Sequence, residues 1–244
     1  GICDPKTGII PFCTNLGWHE VPFVAEMGKY LPNRVVVDND ATVAGYAESI
    51  AGVSKGTKSS VFITLGTGVG GGIVINGKPY SGAHGIGSEI GHMIIKMDGE
   101  PCTCGNKGCF ERYASATAII REAKRAVEKH PESAILARCG GDAEKINAKI
   151  VIDCAKAGDA TAKQVFDEYV KGLAHGIVSL FNVLDPEVIV LGGGVSMAGE
   201  YLLDAVREAG RPLVFFKTLP YPSIQLAQLG ADAGIIGAAL LGKE

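Results

Sequence analysis

Three cysteines fall within eight positions, Cys102-Thr103-Cys104-Gly105-Asn106-Lys107-Gly108-Cys109, and His92 stands ten residues upstream. Thiolates prefer zinc, and a structural zinc takes four nitrogen or sulfur ligands in a tetrahedron. Gly105 and Gly108 permit the sharp turns that let the sulfurs converge. His92, Cys102, Cys104 and Cys109 therefore read as one structural Zn²⁺ set. Four protein ligands leave no open position for water, so a catalytic zinc is not expected. The alternative is three unconnected core thiols, and free cysteines rarely cluster so tightly around glycines. Cys3, Cys13, Cys139 and Cys154 are scattered and read as packing or surface residues. Seven cysteines in this uneven pattern suit metal binding in a reducing, cytoplasmic compartment rather than a disulfide framework.

A second group of residues could recognise hydroxyls. Val37-Asp38-Asn39-Asp40 follows an apolar run, and ligands of α/β sheets collect beyond the carboxyl ends of strands. A carboxylate and an amide there suit hydroxyl recognition. Asp40 could also take the proton of an attacking hydroxyl, as the base of a phosphoryl transfer does. Equally, Asp40 before Ala41-Thr42-Val43 would make a good helix N-cap. Glu89 and His92, three apart, would share a face of a helical turn. If His92 binds zinc through one ring nitrogen, the other can hold a hydroxyl, with the metal fixing the ring. Glu111, two residues beyond Cys109, would then lie near Glu89, unless both glutamates are simply solvated.

Two glycine runs complete the set. Leu65-Gly66-Thr67-Gly68-Val69-Gly70-Gly71-Gly72 joins two apolar runs. Exposed backbone N–H groups in such a loop can form an anion nest. No Gly-Lys-Ser/Thr follows, and a strand rather than a helix comes next, so neither a Walker A loop nor a dinucleotide fingerprint fits. A bulged hairpin is the competing reading. Val190-Leu191-Gly192-Gly193-Gly194-Val195-Ser196 reads as strand, glycines, helix. The glycines there allow either the approach of a purine or ribose, or close helix–strand packing.

The elements that must position these residues alternate in α/β fashion. Val35–Val37 is predicted as a buried strand and Ala41–Val53 as the helix after it. Strands are expected at Ser60–Leu65 and Ile73–Ile75, with a glycine loop over Gly66–Gly72 and a tight turn at Asn76-Gly77. Ser81 to Gly108 lacks periodicity and reads as a site-bearing loop. Helices are predicted over Ala116–His130, Ala143–Ala157, Ala160–Leu184 and Ala198–Ala209, with a strand at Val188–Leu191. The last helix, Ala233–Leu241, is apolar on most sides and should be buried.

The chain has 244 residues, 47% of them hydrophobic, and a formal charge of −3. It can bury a sizeable core. Without a basic face it is not expected to bind nucleic acid through this segment. No run approaches the roughly 20 apolar residues of a membrane span, and Gly1-Ile2-Cys3-Asp4-Pro5 lacks the look of a signal peptide.

Taken together, these motifs resemble the ROK family (repressors, open reading frames and kinases), and within it the bacterial glucokinase branch. The residues that carry the likeness are Asn39-Asp40, Gly66-Thr67-Gly68-Val69-Gly70-Gly71, Glu89-x-x-His92, Cys102-x-Cys104-Gly105-x-x-Gly108-Cys109-x-Glu111, Ala114-Ser115-Ala116-Thr117 and Leu191-Gly192-Gly193-Gly194. The likeness spans essentially the whole chain. It implies a two-lobed, actin-like (ribonuclease H-like) ATPase fold and transfer of the γ-phosphate of ATP, with Mg²⁺, to the 6-hydroxyl of a hexose, glucose first among the candidates. Asp40 resembles the family's base. Asn39, Glu89, His92 and Glu111 resemble its hydroxyl ligands, and His92, Cys102, Cys104 and Cys109 its zinc set. Gly66, Thr67 and Gly68 resemble the second phosphate loop, and Gly192, Gly193 and Gly194 the adenosine loop. The resemblance also implies a homodimer and a division into residues 1–46 (small lobe), 47–230 (large lobe) and 231–244 (a helix returning to the small lobe). The family's first phosphate loop, Asp-x-Gly-Gly-Thr-Lys, has no counterpart here. An N-terminally truncated chain or a fragment is therefore expected, with a small lobe short of strands and with weak ATP binding. Competing readings are another ROK sugar kinase (for N-acetylmannosamine, fructose or allose), a sugar-sensing transcriptional regulator and a zinc-stapled interaction module.

Overall fold

A computed structural model describes residues 1–13, 16–218 and 220–243. The chain opens with three short strands, β1 (Ile2–Asp4), β2 (Ile9–Cys13) and β3 (Trp18–Val21), paired antiparallel in that order. The one-turn helix α1 (Phe23–Gly28) and the long helix α2 (Asp40–Ala51) follow. β4 (Ser59–Leu65), β5 (Val69–Ile75) and β6 (Lys78–Pro79) make an antiparallel meander. A long irregular segment leads to α3 (Glu111–Ala114), α4 (Ala116–Lys129), α5 (Ala134–Arg138), α6 (Ala148–Lys156) and α7 (Ala160–Leu184). Then come β7 (Val188–Gly192), α8 (Glu200–Gly210), β8 (Ser223–Leu226) and α9 (Ala233–Leu241).

The second sheet runs β6-β5-β4-β7-β8, and β4, β7 and β8 are parallel. Side chains of a strand alternate between faces, and β4 divides its residues accordingly. Val61, Ile63 and Leu65, with Ile189 and Leu191 of β7, join Ile119 of α4 and Leu173 and Ile177 of α7 in the larger core. Phe62, with Val188 and Val190, packs instead with Ala44 and Ala47 of α2 and Ala233 of α9. Helices thus cover both faces, as a mixed sheet with parallel central strands requires. Full burial of a side chain such as Ile63, which is 0% exposed, contributes about 1.5–3 kcal/mol.

Several sequence expectations need correction. Val35–Val37 forms no strand and is only half-buried. The apolar run is present, but no strand among the described residues pairs with it. The helix expected over Ala41–Val53 is α2, which begins at Asp40 and ends at Ala51. Residues 143–157 are two pieces, a 3₁₀ turn at Ala143–Lys145 and α6, because Asn147 caps a new start by accepting from the Ile150 N–H. Gly199 likewise separates a 3₁₀ turn at Gly194–Ala198 from α8. α9 buries one face only: Ala233 and Gly237 are buried, while Ile235 is 74% exposed. The expected limits of α7 hold, and Asp159 caps it with its carboxylate on the Ala162 N–H.

Candidate active site and metal centre

The register of β4 on β7 fixes where chemistry can occur. Thr64 pairs with Gly192, so the turn after β4 and the turn after β7 leave the sheet side by side at its carboxyl edge. Leu65 pairs directly with Val69. The first glycine loop is therefore only Gly66, Thr67 and Gly68, and the expected extension to Gly72 is strand. Gly70, Gly71 and Gly72 serve packing instead. A Cβ on Gly72 would lie 2.5 Å from the Ala41 carbonyl oxygen of α2, and one on Gly71 would lie 2.5 Å from the Ser88 carbonyl oxygen on the other face. Bare backbone in β5 lets α2 and the Glu89–His92 segment both press onto it.

The Ala114–Thr117 motif explains itself in this setting. The Ala116 N–H donates to the Gly66 carbonyl at 2.8 Å, and the Thr117 hydroxyl donates to the Thr67 carbonyl at 2.7 Å. Ser115 caps α4 through the Ala118 N–H. The start of α4 thus grips the first glycine loop. Across the edge, Gly193 has φ +81, and a Cβ there would meet the Leu65 backbone at 2.7 Å, so only glycine lets β7 turn beside the end of β4.

Asn39, not Asp40, caps α2: its Oδ1 accepts from the Ala41 N–H at 2.9 Å and the Thr42 N–H at 3.2 Å. Asp40, in the first turn, is exposed, and its Oδ1 accepts from the Ala41 N–H at 2.9 Å. The cap reading of Asp40 is thereby replaced, and the Asn39 amide Nδ2 donates to the Gly1 carbonyl at 3.4 Å. Asp38, the residue before Asn39, accepts from the Asn39 N–H at 2.7 Å and the Ser81 hydroxyl at 3.2 Å. Burial raises its carboxyl above its ordinary value despite both bonds. Its position directly before Asn39-Asp40 was the available signal.

The metal set converges. One donor atom each from His92, Cys102, Cys104 and Cys109 lies within 4.8 Å of all the others. The Cys104 and Cys109 sulfurs are 3.6 Å apart, and Cys102 Sγ is 3.8 Å from His92 Nδ1. A tetrahedron with Zn–S bonds of about 2.3 Å has S···S edges of about 3.8 Å, so the set fits zinc. Backbone bonds hold the loop: Cys102 N–H to Asn106 O at 2.8 Å, and Phe110 N–H to Met93 O at 2.7 Å. Nδ1 of His92 faces Cys102 Sγ and Glu111 Oε1, and Nε2 is the second ring nitrogen. Without metal, burial pushes the Cys109 thiol up to about 12, while the Asn106 N–H pulls Cys104 down.

Glu111 connects this centre to the first glycine loop. Its Oε1 is 3.0 Å from Cys102 Sγ and 3.9 Å from His92 Nδ1. Its Oε2 lies 2.7 Å from where a Gly68 Cβ would stand. Glu89 is exposed and flanks the 3₁₀ turn Ile90–His92. Cys139 and Cys154 are buried free thiols, and Cys3 and Cys13 are half-buried. No helix among the described residues is long and apolar enough to cross a membrane.

The pattern of the ROK family matches residues 1–244. The chain belongs to the ROK family. It is 40% identical over 248 residues to a glucokinase of Halalkalibacterium halodurans, covering 100% of this chain and 74% of that one. With a glucokinase of Thermotoga maritima the identity is 36% over 245 residues, covering 100% and 77%. A ROK family glucokinase from Streptomyces griseus, solved in complex with glucose and AMPPNP, superposes with a TM-score of 0.90 at 36% identity over 100% of this chain and 79% of that one. A xylose repressor of Caldicellulosiruptor bescii shares 27% over 237 residues, covering 97% and 59%. The ROK likeness therefore bears out the α/β, two-lobed, actin-like expectation.

Proposed function

We propose that this ROK chain is a sugar kinase that transfers the γ-phosphate of ATP to the 6-hydroxyl of a hexose, with glucose as the acceptor. The observation that carries the reading is the meeting of the two glycine loops at one sheet edge, with Glu111 reaching Gly68 from the metal centre. Identities of 36% and 40% to glucokinases, against 27% to a xylose repressor, favour the enzyme over the regulator.

In this reading Gly66, Thr67 and Gly68 receive phosphate oxygens on their N–H groups, and Gly192, Gly193 and Gly194 leave room for the adenosine. Asp40, exposed at the start of α2, accepts the proton of the sugar hydroxyl. An alcohol is far too weak an acid for a carboxylate to ionise in the ground state, so the proton passes late, as the new O–P bond forms. The Asn39 amide, the Glu89 and Glu111 carboxylates and His92 Nε2 orient the sugar. His92, Cys102, Cys104 and Cys109 would hold zinc, which supplies rigidity to the imidazole. Mg²⁺ carried with ATP would offset phosphate charge. Residues 1–46 belong to the small lobe, 47–230 to the large lobe and 231–244 return to the small lobe; α2 bridges the first boundary. The protein works in the cytoplasm as a homodimer.

The test is ADP formation with glucose, N-acetylmannosamine, fructose and allose as acceptors, and with polyphosphate as the rival donor. Glucose with ATP is expected to give the highest kcat/KM. Saturable glucose binding with no turnover on any acceptor would give the role to the regulator.

A further inference from the structure

Glu48 is a charged side chain with 0% exposure near the end of α2. Its Oε2 accepts from the Val53 N–H at 2.9 Å. Its Oε1 accepts from the Gln228 N–H at 2.9 Å and the Leu229 N–H at 2.8 Å, residues 180 and 181 positions away. A carboxylate near a helix C-terminus faces the negative end of the helix dipole. Leaving it buried without partners would cost several kcal/mol. Three N–H donors offset that cost, and both oxygens must accept for all three to be satisfied. A neutral apolar residue would fill the volume without these demands, so the carboxylate specifies something that packing alone does not.

What it specifies follows from the two ends it joins. Upstream on the same helix, eight and nine residues away, are Asp40 and Asn39. Downstream, the segment after β8 adjoins the second glycine loop: the Ala227 N–H donates to the Leu191 carbonyl at 2.9 Å. The Ala227 Cβ stands 3.4 Å from where a Gly192 Cβ would be. The chain then enters α9, which returns to α2 so closely that a Cβ on Gly237 would lie 1.9 Å from the Val43 carbonyl oxygen. One buried carboxylate therefore ties the helix that begins with the proposed base to the segment that borders the proposed adenosine loop.

We propose that Glu48 is a positioning residue that sets the nucleotide side of the site relative to Asp40 by holding residues 227–229 against the end of α2. The proposal rests on the kinase reading. Glu48→Gln keeps the shape but puts an NH₂ donor against at least one of the three N–H groups. Glu48→Asp keeps both acceptor oxygens on a shorter stem.

The test is calorimetric binding of glucose and of a non-hydrolysable ATP analogue to the full-length protein, wild type and both variants, with amide hydrogen exchange on each. Glu48→Gln is expected to weaken the ATP analogue tenfold or more and to leave glucose within about twofold. Exchange should quicken at residues 227–232 and 191–194 and stay unchanged at 92–110. Glu48→Asp should fall between, which keeps the test open if the glutamine variant does not fold. Equal weakening of both ligands with faster exchange everywhere would make Glu48 a stability residue only and overturn the proposal. So would wild-type nucleotide affinity despite loosened 227–232 amides. If wild type itself binds neither ligand, the kinase reading falls and takes this proposal with it, a result distinct from either of the others.

Discussion

At the scale of single residues, two aspartates two positions apart have opposite settings. Asp40 is exposed at the first turn of α2, whereas Asp38 is sunk against the Asn39 N–H and the Ser81 hydroxyl. Replacing Asp40 by Asn removes a proton acceptor and keeps the size. In steady-state assays kcat should drop by about 10²–10⁴-fold, the usual contribution of a general base, with sugar affinity changed little. Near-normal turnover would remove Asp40 from the base role. Asp38 offers a pH test. Burial raises its carboxyl above the unfolded value, so the folded state binds the extra proton inside that window. Stability then falls as pH rises through it. Asp38→Asn keeps the Oδ1 acceptor for the Asn39 N–H, turns an NH₂ towards the Ser81 hydroxyl, which can accept from it, and abolishes the titration. Its melting temperature relative to wild type should be lowest near pH 4 and should climb towards neutrality; a difference independent of pH would refute the assignment.

At the scale of elements, much of the architecture was legible because local signals sufficed. α7 reads off its 3.6-residue apolar stripe from Ala160 to Leu184, with Asp159 before it as the cap. The Asn76-Gly77 turn and the convergence of His92 with Cys102, Cys104 and Cys109 were equally plain, because chemistry and spacing coincide there. Val35–Val37 misled, since an apolar run does not disclose whether a partner strand exists, and pairing is non-local. The Gly66–Gly72 run misled for a related reason: composition cannot separate a loop glycine from a strand glycine that admits a neighbouring helix. Glu48 gave no signal at all, because its partners are 180 residues away. α9 was overburied in expectation because only its contact face, marked by Gly237, meets α2. Two substitutions on that helix separate propensity from packing. Alanine favours a helix over glycine by about 1 kcal/mol. Gly234 has open space around it, so Gly234→Ala should raise the melting temperature by about 2–4 °C. Gly237→Ala gains the same propensity but drives a methyl to 1.9 Å from the Val43 carbonyl oxygen. Overpacking of this kind costs about 1–3 kcal/mol, so the melting temperature should fall instead. A rise at both positions would mean that α9 is not seated on α2.

At the scale of the whole molecule, the metal loop and the two glycine loops form one connected edge. His92 is held by the turn that presses on β5, Glu111 spans from Cys102 to Gly68, and α4 grips Gly66 and Thr67. On the proposed reading, loss of a bound metal should reach the sugar side before the nucleotide side, because that reading assigns Glu111 and His92 to the sugar, while Gly192 is paired to Thr64 of β4. Chelation is expected to lower the melting temperature and to weaken glucose tenfold or more, with a much smaller effect on an ATP analogue. Elemental analysis before treatment should find one zinc per chain. Acid should act in the same direction as the chelator. The Cys109 thiol sits at about 12 in the metal-free loop, so binding must displace its proton, and a falling pH favours the proton over the metal. Cys109→Ser, which removes a thiolate without adding bulk, should reproduce the chelated protein at neutral pH and should not respond to added zinc. Equal loss of both ligands on chelation would mean that the metal maintains the fold as a whole and does not act on the sugar pocket in particular. No loss of either would separate the cluster from the site.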